Sequence, residues 1–168
     1  MSLSKSFTMS KSQHWETPTH IWKKIEQDYN IKFVTDLCAS RSNHLFPKYY
    51  TEANDCRYHR WATKEGEANW INPPFGMGTI PDFARLALKW SVEKGYNTVM
   101  LLPCNKTDQP WFHDFVIGKA LVLFVEKRIS FLENGKEIKG NPQGSVIICF
   151  GPAFESGIGS FKQDKEIV

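Results

Sequence analysis

The chain has 168 residues, room for one domain, of which 41% are hydrophobic and 14% aromatic, including six Trp and twelve Phe. That content excludes wholesale disorder, and no apolar run approaches the roughly 18 residues of a membrane helix, so collagen, coiled coil and integral membrane protein fall away. A net charge of +3, from 21 basic and 18 acidic residues, permits contact with nucleic acid without arguing for it.

Residues 1–13 are rich in Ser and Lys without periodicity and are expected to be a flexible tail, with no apolar segment of a secretory signal. A helix is expected from Pro18, with Thr17 as N-cap and Ile21, Trp22 and Ile25 as its apolar stripe. Residues 31–36 read as a strand ending on an acidic residue, and 46–51 as a second strand in a polar stretch with little pattern. Residues 68–75, ANWINPPF, form a short apolar approach to a proline corner. Residues 81–95 predict an amphipathic helix with Pro81 in its first turn and Gly95 at its C-cap. A buried strand over 96–103, a helix over 109–119 and two strands joined by a polar connection across 120–151 follow. Beyond Pro152 the pattern is lost and a polar tail over 153–168 is expected.

This order predicts an α/β fold, one layered domain over 14–152 with a mostly parallel sheet and a C-terminal antiparallel hairpin. Cys38, Cys56, Cys104 and Cys149 are scattered without a CxxC pair and read as reduced thiols of a cytoplasmic protein. The five His residues have no metal-ligand spacing, so no metal site is expected. Trp61, Trp70, Trp111 and Phe112 read as core, His113 as structural.

Ligands of open parallel sheets bind beyond the carboxyl ends of the strands, where Asp36-Leu37-Cys38-Ala39 and Asn72-Pro73-Pro74-Phe75 both fall. Two successive prolines fix their own φ angles and bias Asn72 and Pro73 toward extended backbone. The corner offers no backbone donor at 73 or 74, and its carbonyls and the Asn72 side-chain oxygen are free to accept. Phe75 adds a flat face. Such a set suits a planar group carrying an NH2, whose hydrogens it binds while drawing the nitrogen lone pair out of conjugation. A plain loop corner is the competing reading.

NPPF resembles the (D/N/S)PP(Y/F) motif of amino-group methyltransferases that use S-adenosylmethionine. The order HWETP, FVTDLCAS, WINPPFG, VMLLP, WFHDF, KRISF and GSVIICF, across roughly residues 14–150, is similar to the phage-type DNA N6-adenine methyltransferases, the Dam-like phage family. The resemblance implies a Rossmann-like S-adenosylmethionine-dependent fold and double-stranded DNA as partner, in the cytoplasm of a bacterial host carrying a phage or prophage. It implies that Asn72 and the Pro73 carbonyl accept from the adenine amine, with Pro74 holding the corner and Phe75 stacking on a flipped base. Asp36, Cys38 and Ala39 would line the S-adenosylmethionine pocket, and Trp15, Thr17 and Pro18 would close over its methionine end. Glu52 and Asp55 are both candidates for the acidic grip on the ribose, Asp55 being taken with the cofactor set. Arg128 would meet phosphate or base, and Lys136 and Lys139 would lie in a DNA-contacting loop. Asp108 is a further candidate near cofactor or base.

The sequence departs from the family pattern after Asp36, where Asp-Leu-Cys-Ala-Ser stands in place of a glycine-rich loop. The missing glycines motivate a competing reading, a catalytically idle DNA-binding protein on the same scaffold. Because NPP-aromatic corners are also similar to those of methyltransferases acting on RNA bases or protein amides, the same chemistry on those substrates competes as well. With so little chain to spare, the loops at 41–69 and 132–144 are expected to make most DNA contacts and to read a short site.

Overall fold

In chain order the elements are helix α1 (Thr19–Tyr29), strands β1 (Lys32–Asp36), β2 (Lys48–Tyr49) and β3 (Glu67–Ile71), helix α2 (Ile80–Lys94) and strand β4 (Asn97–Pro103). Helix α3 (Pro110–Phe115), β5 (Leu121–Val125), β6 (Leu132–Glu133), β7 (Lys136–Glu137), β8 (Ser145–Phe150) and β9 (Gly157–Phe161) follow. The computed structural model describes residues 15–74 and 78–167, so the tail expected over 1–13 and Phe75 lie outside the described residues.

Seven strands form one sheet in the order β2-β1-β3-β4-β8-β5-β9. β1 pairs in parallel with β2 and β3, β3 with β4, and β5 with β9. β8 alone runs antiparallel, inserted between β4 and β5. This is the mixed, mostly parallel α/β sheet expected, with β5 and β8 as its antiparallel closing pair. β6 and β7 make a separate hairpin whose turn, Asn134-Gly135, has φ of 51° and 74°. Two positive φ values in a two-residue loop are what an Asn-Gly hairpin provides.

Every residue of β4 is buried because both faces of the sheet are covered. Met100 and Leu102 pack on the face shared with Phe83, Ala84 and Ala87 of α2 and with Trp111 and Phe112. Val99 and Leu101 pack on the other face with Ile21 and Ile25 of α1, Phe46 and Trp70. Trp61 and Trp70 are both in the core, as expected. No helix among the described residues is long and apolar enough to cross a membrane.

Four expectations are corrected. α1 begins at Thr19, so Pro18, in place of Thr17, is its N-cap residue, and there is no side-chain cap. α3 ends at Phe115, after which the chain turns through Gly118 instead of continuing to 119. The strand expected over 46–51 is reduced to Lys48 and Tyr49, an edge partner of β1 alone. The stretch beyond Pro152, expected to be a polar tail, supplies the edge strand β9, which buries only Phe161 among its five residues. An edge strand with one buried side chain has no apolar alternation to betray it.

The chain leaves β8 through Gly151, whose φ is 122° and whose missing Cβ would lie 2.3 Å from Asn97 Oδ1 and 2.7 Å from Asn97 Cα. Asn97 cannot withdraw, since its amide donates to the Glu67 carbonyl and its oxygen accepts from Ala153 N–H. Gly151→Ala is expected to lower stability by about 2–4 kcal/mol through backbone strain and overpacking, measured by denaturant unfolding.

Candidate active site

β1 and β3 are neighbours in register, with Asp36 opposite Trp70, so their carboxyl ends open at one edge of the sheet. The loops that follow them, beginning at Leu37 and Asn72, therefore meet there. Between them lies a cavity of about 800 Å3. Asp36, Cys38, Ala39 and Asp55 line it, as do Asn72, Pro73 and Pro74, and Trp15 and Thr17 close one wall. Pro18 lies outside the lining, at the start of α1. Residues from four stretches of chain, expected to act together, thus share one space.

Asp36 is 5% exposed and is built into the loop it precedes. Its Oδ1 accepts from Cys38 N–H at 3.3 Å and its Oδ2 from Leu45 N–H at 3.0 Å. Leu37 N–H donates to the Trp70 carbonyl and Ala39 N–H to the Tyr50 carbonyl, each at 2.9 Å. The carboxylate and the strand edges thereby do the shaping that glycines would do in a tighter loop. Burial pushes the Asp36 carboxyl above its ordinary value, opposed by the two backbone hydrogen bonds and by His44. The Cys38 thiol is held well above its ordinary value by its hydrogen bond with Cys56 and by burial, so it stays neutral.

Asp55 is committed differently. Its carboxylate receives Arg57 Nε at 2.9 Å and Nη2 at 2.6 Å, and it caps the 3-10 turn Cys56–Tyr58 through Arg57 N–H. Arg57 also reaches Asp82 at 3.4 Å and lies over the Phe83 ring. The turn is anchored from below: the Trp61 indole donates to the Cys56 carbonyl, and Asn69 of β3 donates to the Trp61 carbonyl, both at 2.8 Å. Glu52, the alternative acidic candidate, is exposed and lines the same cavity.

The hydrogen bonds from Arg57 hold the Asp55 carboxyl below its ordinary value of 3.8, so its stabilising contribution is full above that pH and is lost as pH falls through the lowered value. Asp55→Asn is expected to be less stable than wild type at pH 7. The gap should close below pH 3.8, as followed by thermal unfolding across pH.

The proline corner carries Asn72, whose Nδ2 donates to Thr17 Oγ1 at 3.4 Å. Thr17 is buried and sits on a segment joined to the hairpin by two hydrogen bonds between Glu16 and Leu132, at 2.7 and 2.9 Å. Trp15 stacks on Phe131 beside them. Arg128, Lys136 and Lys139 are exposed around this hairpin and do not line the cavity. Asp108 is also outside the lining, its carboxylate accepting from the neighbouring Gln109 amide.

Sequence reasoning passed over Glu16, Arg41, Arg57, Thr79 and Phe83, all of which line the cavity. Only the Asp-x-Arg spacing of 55 and 57 offered a signal, and it is common on surfaces. The Thr79 hydroxyl is buried without a hydrogen-bond partner among the described residues. Carboxylates at 16, 36, 52 and 55 outnumber the guanidinium groups of Arg41 and Arg57, so the lining is net acidic.

Sheet and cavity define an α/β domain with a cavity at the carboxyl ends of two parallel strands and the Asn72-Pro73-Pro74 corner in its wall. The sequence matches the family described as DNA N-6-adenine-methyltransferase (Dam) over residues 5–167. It is 30% identical over 141 residues to the DNA N-6-adenine-methyltransferase of Haemophilus phage HP1 (strain HP1c1), covering 82% of this chain and 78% of that one. It is 29% identical over 150 residues to the DNA N-6-adenine-methyltransferase of Escherichia phage T1, covering 79% of this chain and 60% of that protein's length. The chain belongs to the DNA N-6-adenine-methyltransferase (Dam) family.

Proposed function

We propose that this chain transfers a methyl group from S-adenosylmethionine to the exocyclic amine of adenine in DNA, on a Rossmann-like methyltransferase fold. The observation that carries this reading is the Asn72-Pro73-Pro74 corner in the wall of the same cavity that Asp36, Cys38 and Ala39 line. The residues fit the cofactor. A volume of about 800 Å3 lies within the roughly 300–1,000 Å3 of small-ligand sites, the lining is rich in carboxylates, and the Thr79 hydroxyl is unpartnered.

When bound, S-adenosylmethionine supplies an electrophilic methyl group on a sulfonium sulfur. Asp36, Cys38 and Ala39 would hold it from the loop after β1, and Trp15 and Thr17 from the wall at its methionine end, with Pro18, outside the lining, fixing their segment to the start of α1. The acidic side chains at 52 and 55 would accept from its ribose hydroxyls. Because both oxygens of Asp55 already hold Arg57, Glu52 is the freer of the two acceptors. Asn72 Oδ1 and the Pro73 carbonyl accept the two hydrogens of the adenine amine and localise the lone pair on nitrogen. Phe75 stacks on the base, which leaves the duplex because its amine is engaged in pairing there. Arg128, Lys136 and Lys139, around the hairpin joined to the Trp15 segment, contact the phosphate backbone. The work is done in the cytoplasm of a bacterial host, on double-stranded DNA.

Incubation with labelled S-adenosylmethionine and unmethylated duplex DNA, RNA or cell protein in parallel tests the reading. Label is expected in the DNA. Label in RNA or protein alone, or cofactor binding without transfer, would overturn it.

A further inference from the structure

We propose that Thr17 is a positioning residue for the transfer: its hydroxyl takes a hydrogen from the Asn72 amide and so turns Asn72 Oδ1 toward the target amine. The inference rests on the reading of the proline corner given above and adds to it what fixes the Asn72 side chain.

An asparagine amide has a donating end and an accepting end of nearly the same shape, about a terminal torsion that is broad and roughly two-fold. The prolines fix the backbone of the corner, not this torsion. With the amide reversed, an NH2 group would face the NH2 group of the base, and the acceptor that localises the lone pair would be lost. A carboxylate at position 72 would need no such control, since both of its oxygens accept. An asparagine does need it.

The contact that supplies it spans 55 positions of sequence, Asn72 Nδ2 to Thr17 Oγ1 at 3.4 Å. That is long for a hydrogen bond, as contacts in catalytic sites often are before the substrate tightens them. Thr17 is 4% exposed and is gripped on both sides. Before it, Glu16 exchanges two backbone hydrogen bonds with Leu132, and Trp15 stacks on Phe131 at 5.6 Å between ring centroids. After it, the Pro18 carbonyl accepts from Ile21 N–H at the start of α1. Freed from capping that helix, the hydroxyl is held between the hairpin and α1, against the corner. The threonine that reads as a helix cap in the sequence thus orients the acceptor.

Wild type, Thr17→Val, Thr17→Ala and Thr17→Ser are compared for steady-state methyl transfer to unmethylated duplex DNA and, by calorimetry, for the Kd of S-adenosylmethionine. Valine keeps the shape and removes the oxygen; alanine gives the same reading if valine does not fold; serine restores the oxygen. Thr17→Val or Thr17→Ala should lower kcat at saturating cofactor by about 10- to 100-fold, with KM for DNA within about threefold of wild type and any rise in cofactor Kd, from the wall that Thr17 shares, smaller than the loss in kcat. Thr17→Ser should recover most of the rate. Unchanged kcat in the variants lacking the hydroxyl would overturn the proposal. So would a loss confined to cofactor affinity, or a serine variant as slow as valine. Wild type that transfers nothing to DNA would overturn the proposed function, and this inference with it; active wild type beside unaffected variants overturns this inference alone.

Discussion

Asn72→Ala is expected to lower the rate of methyl transfer by about 10²–10³-fold, the loss typical of removing one preorganised polar group aimed at developing charge. Cofactor affinity should change little. The side chain stands in the cavity wall and bonds to Thr17, and no described hydrogen bond of the Asp36 loop depends on it. The Pro73 carbonyl remains in place, because the two prolines hold the backbone whichever side chain precedes them. Transfer assays at saturating cofactor, with Kd measured separately, separate the two effects. A large rise in Kd with kcat preserved would move Asn72 from the reacting amine to the cofactor.

Asp36→Ala should act at the other wall. The carboxylate closes the loop after β1 by accepting from Cys38 and Leu45, and its removal leaves two backbone N–H groups without those acceptors. An unpaired buried donor costs about 1–3 kcal/mol of stability, and a loop that is no longer held in its binding shape should raise cofactor Kd by about 10- to 100-fold, read by calorimetry. Stability follows a separate rule. Because burial raises the folded-state value of Asp36 above 3.8, its favourable contribution is full below that pH and is lost as pH rises through the raised value. At neutral pH the buried charge costs stability, and the fold retains it for the shape of the loop. Asp36→Asn should therefore lose cofactor affinity without a matching loss of stability at pH 7.

The parts of this fold legible in the sequence are those governed by local rules. α2 is one, with Pro81 in its first turn and Gly95 in the left-handed conformation at its end. β4 is another, a run of apolar residues covered on both faces. The corner at 72–74 was legible because two prolines after an asparagine leave the chain few conformations. What the sequence hid was set at long range. The 3-10 turn carrying Asp55 is held by Trp61 and Asn69, neither of which signals that role by spacing. Thr17 precedes a proline and a helix, so a cap is the local reading, and among the described residues it is the distant Asn72 that gives its hydroxyl a partner. β9, built on Gly157, Gly159 and one buried Phe161, carries no periodic signal and is specified by pairing with β5.

Acceptors that localise an amine lone pair serve adenine N6 and cytosine N4 alike, so the decisive observation is the atom that receives the methyl group. Unmethylated duplex DNA incubated with methyl-deuterated S-adenosylmethionine, digested to nucleosides and read by mass spectrometry, identifies it. The account predicts deuterated methyl on adenine N6 with wild-type protein and a trace at most with Asn72→Ala. Label on cytosine N4, or equal labelling of adenine by the two proteins, would contradict it.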